Sequence, residues 1–260
     1  MSLLKLSVVL PIHNEEKTLW DAVEALAPEF DFVVGPQAWQ FILVENGSRD
    51  SSLKICHRIA KQWTSSRVIH LPKGDYGNAL REGVLRSEGS HCLIMNVDHL
   101  WDRPYMQWAW DKREEYDLII GSKRADPTLN QQDQYRRVLS AGLNAVLAYL
   151  FDNVAAETHG MKLVKLERMR SMAEICIMRR GQFDTELTLR ALRGGYQIAE
   201  VPIPYMETRK PRNFMLRKIG QNVYDLFRLY QVMKNIPYDS HLRYHRFCRH
   251  DMLKHADLEA

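Results

Sequence analysis

Four short apolar runs punctuate the first hundred residues: 6–12 (Leu-Ser-Val-Val-Leu-Pro-Ile), 39–45, 67–71 and 91–97. Each suits a buried strand better than a helix, because it is short and rich in β-branched residues. The stretches between them carry helical spacing. We expect a helix after the first run through Leu26, then helices over 51–63, 77–87 and 104–115, with a further strand over 117–121. Alternation of this kind demands a mostly parallel sheet, since parallel neighbours need crossovers, and the crossover helices cover both faces. The second half is less regular: a helix over 136–151, a strand over 161–166, a helix over 184–194 and a strand over 196–203. We expect one α/β domain over residues 1–210 and a basic, amphipathic, helical tail over 211–260. The tail would pack on the domain or lie at a membrane surface.

Composition sets limits on function. Hydrophobic residues are 45% and charged residues 26% of the 260, which excludes wholesale disorder, collagen and a disulfide-held miniprotein. The cysteines at 56, 92, 176 and 248 form no C-x-x-C pair, so neither a zinc ribbon nor a dithiol site is indicated. We expect no cleaved leader and no membrane span, hence a cytoplasmic chain, at most peripheral on the cytoplasmic face of a membrane. Residues 207–260 carry a net charge of +5, against −1 for the rest. Phe214, Ile219, Val223, Phe227 and Tyr230 recur there near helical spacing, with Arg217, Lys218, Arg228 and Lys234 between them. Such a helix can seat on anionic lipid or a membrane-protein partner, or pack on its own domain. The histidines at 241, 245, 250 and 255 are expected in a solvated, partly frayed tail.

Ligands of parallel sheets bind at the carboxyl ends of strands. The first run ends in Pro11-Ile12-His13-Asn14-Glu15, and the second in Glu45-Asn46-Gly47-Ser48-Arg49-Asp50. The third leads into Lys73-Gly74-Asp75-Tyr76-Gly77-Asn78, and the fourth ends in Asn96-Val97-Asp98. Acids for ribose hydroxyls, glycines for close approach and helix N-termini for phosphate are the parts of a nucleotide site. Taken singly, Ser48 or Asp50 can be a helix cap and Gly77 a turn; four such segments at one edge favour a site. No G-x-x-x-x-G-K-[ST], no G-x-G-x-x-G after the first strand and no G-x-S-x-G occurs, which argues against P-loop, dinucleotide and α/β-hydrolase readings.

In order and spacing, these segments resemble the family 2 glycosyltransferases of GT-A fold, in particular the dolichyl- and polyprenyl-phosphate mannose or glucose synthase branch. Pro11-Ile12-His13-Asn14-Glu15 stands where that family has P-x-Y-N-E, and Val44-Glu45-Asn46-Gly47-Ser48-Arg49-Asp50 where it has V-D-D-G-S-x-D. Asn96-Val97-Asp98 takes the place of D-x-D. Gly121-Ser122-Lys123-Arg124, the helix with Arg137, Ser140 and Asn144, Glu157-Thr158-His159-Gly160-Met161-Lys162, Phe183-Asp184-Thr185-Glu186-Leu187 and Glu200-Val201-Pro202-Ile203 follow in order.

The resemblance implies inverting transfer of a hexose from a nucleotide-diphosphate sugar, with Mg²⁺ or Mn²⁺. Pro11, His13, Glu15, Glu45, Asn46, Gly47, Lys73, Gly77, Asn78, Asn96 and Val97 would line the donor site. Asp98, with Asn96, would hold the metal, and it is the first candidate catalytic residue. The acceptor would be a polyprenyl phosphate, placed by Arg124, Arg137, Ser140, Arg209 and Arg212, because guanidinium pairs bidentately with phosphate. Phosphate is already anionic and needs no base. A glycan or other hydroxyl acceptor would need one, and Asp184 and Glu186 are the candidates. Asp184 is as well placed to cap its helix, so function is preferred for Glu186; at spacing i, i+2 they do not share a helix face. Nucleic acid is not an expected partner. The amides at 46 and 96, where the family has acids, leave open a nucleotide-sugar-binding protein without catalysis.

Overall fold

The computed structural model describes residues 4–98, 102–131, 134–151, 157–206, 215–237 and 243–257. The first half alternates as expected. β1 (Leu6–Ile12), α1 (Leu19–Val34), β2 (Trp39–Asn46), α2 (Ser52–Gln62), β3 (Arg67–Leu71), α3 (Tyr76–Leu85), β4 (His91–Ile94), α4 (Arg103–Asp111) and β5 (Leu118–Ser122) follow one another. After the short β6 (Asn130–Gln131) come α5 (Gln134–Phe151), β7 (Met161–Lys165), α6 (Leu166–Ile175), α7 (Phe183–Arg193) and β8 (Gln197–Pro202). The two-residue β9 (Tyr205–Met206), α8 (Met215–Met233), β10 (Arg243–Arg246) and α9 (Arg249–Asp257) complete the described chain.

The main sheet runs β10-β8-β5-β7-β4-β1-β2-β3. Every neighbouring pair in it is parallel except β7, which is antiparallel to both β4 and β5. Strands β1 and β2 are buried along their whole length, and the pleat sorts their side chains. Val8 and Leu10 join one apolar layer, beneath α1, α2, α4 and α9. Val9 joins the other, beneath α3, α5, α6, α7 and α8. The chain leaves β1 towards β2 and β3 on one side and returns to β4 on the other. The order therefore reverses between β1 and β4, and at such a switch point the strand ends open a crevice.

Several boundaries differ from the sequence expectation. Helix α1 does not stop at Leu26 but continues through Pro28 to Val34. An internal proline loses a hydrogen bond and crowds the preceding turn. Here Phe30, fully buried against Trp39 and Phe41 at ring separations of 5.4 and 5.9 Å, holds the last turns in place. Strand β4 ends at Ile94, so Asn96–Asp98 are loop. Helix α6 begins directly where β7 ends and went unread. Strand β10 also went unread: it lies in the tail expected to be helical and solvated, and pairs with β8 in parallel. Its sequence, Arg-Tyr-His-Arg, has no apolar signal, as suits an edge strand. His245 is thus a strand residue, its ring 5.9 Å from that of Tyr116. His241 lies outside the described residues.

Candidate active site at the strand ends

The loops leaving β1 and β2 are knitted together by short polar side chains. Asn14, in the left-handed region at φ 56°, donates its backbone N–H to Ser48 Oγ (3.1 Å) and accepts from the Arg49 N–H (2.9 Å). Ser52 Oγ accepts from the Glu15 N–H at 2.8 Å. His13 Nδ1 lies 2.7 Å from the Asn46 carbonyl and Nε2 lies 3.0 Å from Asn14 Nδ2. A carbonyl can only accept, so Nδ1 carries the proton and Nε2 accepts from the amide. Gly47, at φ 63°, is needed twice over: a Cβ there would meet the Gly74 nitrogen at 2.7 Å.

Glu45 is buried and doubly engaged, by the Ser48 N–H and by His70 Nδ1, both at 2.5 Å. Burial pushes its carboxyl upward, but the Ser48 and His70 hydrogen bonds outweigh that and hold it below its ordinary value. Its partner Asn46, also buried, accepts the Asp75 N–H at 2.7 Å through Oδ1. Asp75 is the N-cap of α3, accepting from the Asn78 N–H (3.0 Å). Tyr76 opens that helix and donates its hydroxyl to Asn96 Oδ1 at 2.9 Å. Burial first, then the charges of Asp184 and Asp98, push the Tyr76 phenol above its ordinary value, so it stays protonated as the donor. Lys73 is exposed, and Asp98 and Asn96 are half-buried.

A second cluster faces the first. Lys162 on β7 is fully buried; its ammonium donates to the carbonyls of Thr158 (2.9 Å) and Gly160 (3.1 Å). It lies 3.3 Å from Asp184 Oδ1 on α7, an oxygen with no aligned hydrogen-bond donor. Asp184 is not the helix cap, since Gln182 occupies that position. Glu186, also fully buried, points elsewhere. It accepts from the N–H groups of Ile177 (2.9 Å) and Met178 (2.7 Å) and from Arg190 Nε (2.8 Å). Glu157 is buried, accepts the His159 N–H (2.9 Å) and has its other oxygen 4.0 Å from Lys123 Nζ.

The sequence-derived candidates therefore divide. Pro11, His13, Glu15, Glu45, Asn46, Gly47, Asn96, Val97 and Asp98 all lie at the ends of β1, β2 and β4. Gly77 and Asn78 lie in the first turn of α3, and Gly77 faces the Arg179–Arg180 backbone. Arg124 follows β5, its N–H donating to Ser122 Oγ at 3.3 Å. The side chains of Arg137 and Ser140, on α5, and the whole of Arg209 and Arg212 lie outside the described residues. Asp75, Tyr76 and Lys162 are site residues that sequence reasoning quoted without assigning a role. A helix-capping position signals Asp75; nothing in the sequence signals the pairing of Lys162 with Asp184.

Among the described residues, no three His, Cys, Asp or Glu side chains gather to hold a metal. One carboxylate, Asp98, beside one amide oxygen, Asn96, still fits a hard cation of the Mg²⁺ or Mn²⁺ kind. Such ions are commonly held by one or two carboxylates, with substrate phosphates and water completing the shell. The buried thiols of Cys56 and Cys92 offer no alternative nucleophile, since burial pushes both up to about 12.

The sequence profile of Glycosyl transferase family 2 matches residues 7–180, well over half of the chain. The chain belongs to that family. The curated glycosyltransferase AglD of Haloferax volcanii is 24% identical over 208 residues, covering 78% of this chain and 33% of AglD. The dolichyl-phosphate beta-glucosyltransferase of Dictyostelium discoideum is 28% identical over 222 residues, covering 78% of this chain and 66% of that protein. The chain thus spans a third of one relative and just under two thirds of the other. Among solved structures, glucosyl-3-phosphoglycerate synthase of Mycobacterium tuberculosis, crystallised with Mn²⁺, UDP and phosphoglyceric acid, superposes with TM-score 0.59 at 22% identity, over 91% of this chain and 80% of that one. Staphylococcus aureus TarS with UDP does so with TM-score 0.58 at 16% identity, over 90% and 67%. At these identities the likeness carries the GT-A fold, as the sequence resemblance implied.

Proposed function

We propose that the chain transfers a hexose, glucose being the first to test, from a UDP-sugar to a polyprenyl phosphate, with inversion at the anomeric carbon. One observation carries the choice of acceptor: neither candidate base is disposed to act as one. Glu186 is engaged by three donors, and Asp184 is held beside the Lys162 ammonium. A hydroxyl acceptor must give up a proton to a carboxylate, whereas a phosphate arrives deprotonated. The phosphate oxygen forms the new bond to the sugar's anomeric carbon as the bond to the diphosphate oxygen breaks, and the electron pair leaves on UDP. Both the dolichyl-phosphate relative and the UDP complexes of the structural neighbours support this reading.

In it, the Glu45–Asn46 and His13–Asn14 network shapes the nucleoside end of the cleft. Tyr76 fixes the Asn96 side chain, and Asp98 is the residue to hold Mg²⁺ or Mn²⁺. A bound divalent ion would offset the charge that develops on the leaving diphosphate. Arg124 and the basic residues of α5 and of the 207–214 segment would receive the acceptor phosphate. A membrane-borne acceptor would suit α8, where Val223, Tyr224 and Phe227 are 62%, 61% and 60% exposed. No helix among the described residues is long and apolar enough to cross a membrane.

The test is transfer of labelled glucose from UDP-glucose to undecaprenyl or dolichyl phosphate, with Mn²⁺ and with chelator, alongside GDP-mannose and a panel of glycan acceptors. Labelled lipid that is lost with Asp98→Ala supports the reading. Transfer only to hydroxyl acceptors would replace the acceptor, and tight UDP-sugar binding without release of UDP under any acceptor would leave a binding protein.

A further inference from the structure

The segment between α6 and α7, residues 176–182, borders the same cleft, and its backbone is held at every turn. Glu186 takes the N–H groups of Ile177 and Met178. The Gln182 N–H donates to the Arg179 carbonyl (3.2 Å), and His159 Nε2 donates to the Gly181 carbonyl (2.7 Å). The Arg180 N–H donates to Asp75 Oδ1 at 2.7 Å, on the carboxylate that caps α3 and whose own N–H is held by Asn46. The packing is close enough to require Gly77, where a Cβ would lie 2.3 Å from the Arg180 carbonyl oxygen.

Arg180 has φ 58° although Gly181 stands beside it. A left-handed conformation is disfavoured for a non-glycine residue, because Cβ crowds the following carbonyl oxygen. It persists where surrounding contacts over-determine it, commonly at ligand clamps. What the strained, anchored loop displays is Arg179 and Arg180. Both are exposed, and neither guanidinium meets a carboxylate among the described residues. Three acids that border the loop are committed elsewhere: Asp75 to backbone N–H groups, Glu186 to N–H groups and Arg190, Asp184 to Lys162. The loop also packs on the N-terminal end of α3 and leads directly into α7, and the dipole of a helix favours negative charge at its N-terminal end.

We infer that Arg179 and Arg180 form a preorganised phosphate clamp at the mouth of the cleft. This rests on the transferase reading and extends it, since neither arginine belongs to the sequence-derived set. The ligand is a phosphate group, borne either by the nucleotide donor or by the lipid acceptor. Two adjacent guanidiniums on a fixed backbone suit it, because each can engage phosphate oxygens bidentately. The connection through Asp75 to Asn46 ties the loop to the donor end, so the clamp is set by the same network that shapes the nucleoside end.

The test compares wild-type protein with Arg179→Gln/Arg180→Gln in three titrations: UDP, farnesyl phosphate and farnesol. Because both side chains are exposed and unpaired with acids, the double variant should unfold at the wild-type temperature; Arg179→Gln alone serves if it does not. We expect one phosphate ligand to bind roughly tenfold more weakly, and with a shallower salt dependence, while farnesol is unchanged. Loss confined to UDP assigns the clamp to the donor, and loss confined to farnesyl phosphate assigns it to the acceptor. Variant affinities within twofold of wild type for both phosphate ligands would overturn the clamp and leave the transferase reading standing. A wild-type protein that binds neither phosphate ligand would overturn both.

Discussion

Asp184 and Glu186 stand two residues apart on α7 and have opposite environments. Asp184 meets the buried Lys162 ammonium, whereas Glu186 braces the loop before its own helix. Breaking a buried ion pair from one side leaves an uncompensated charge, which costs about 3–5 kcal/mol. Asp184→Leu should therefore lower unfolding stability by roughly that amount, and adding Lys162→Met should recover much of it, as read by urea unfolding of both single variants and the pair. Additive losses would mean the two groups do not interact. Glu45 gives a pH prediction. Its carboxyl titrates below its ordinary value in the folded chain, because Ser48 and His70 favour the charged form. The stability it confers is complete above the unfolded-state value near 4.5 and is lost as pH falls through the lower folded-state value. Glu45→Gln should cost about 1–2 kcal/mol at neutral pH and flatten this part of the acid limb. An unchanged acid limb in denaturation curves would remove Glu45 from that role.

At the scale of elements, the unexpected component is the β10–α9 segment. Strand β10 covers the outer edge of β8, Tyr244 donates its hydroxyl to the buried Glu200, and the Phe247 N–H reaches the Glu200 carbonyl at 2.9 Å. Phe247 packs on Trp108 at a ring separation of 4.8 Å. Helix α9 is then fastened to the start of α4 by two hydrogen bonds from Arg249 to the buried carboxylate of Asp102, one of them at 2.8 Å. Arg249→Ala strands that carboxylate, and we expect a loss of about 2 kcal/mol in thermal or urea unfolding. Ending the chain before Arg243 would bare the β8 edge, and size-exclusion chromatography should show association of the truncated chain. A monomer of unchanged stability would mean the segment is only laid against the sheet.

For the molecule as a whole, charge is unevenly distributed along the chain. The chain carries a net +4, with its basic excess in the same 207–260 region that presents Val223, Tyr224 and Phe227 to solvent. Each basic residue near an anionic surface contributes about 1 kcal/mol of attraction. The intact chain should therefore sediment with anionic vesicles and not with neutral ones, and Phe227→Glu should weaken that binding. Equal behaviour with both vesicles would exclude a lipid-facing α8.

Much of this arrangement is local in origin and so was legible in the residues. Short β-branched runs alternating with helical spacing determine a parallel sheet, because side-chain period and run length are properties of neighbouring residues. The rule that ligands gather at strand ends then puts His13, Glu45, Asn46, Asn96 and Asp98 together without any coordinates. Strand β10 escaped because an edge strand with polar side chains carries no period-two apolar signal. The continuation of α1 through Pro28 escaped because the burial of Phe30, supplied by Trp39 and Phe41, overrides a local penalty. The roles of Asp184 and Glu186 could not be read either. Which carboxylate meets Lys162 and which meets the Ile177–Met178 backbone depends on how α7 is rotated against β7, and only tertiary packing decides that. The clamp geometry of Arg179 and Arg180 is of the same kind: the two residues are adjacent in sequence, but their fixed presentation comes from Asp75, His159 and Glu186, brought to them by three separate parts of the chain.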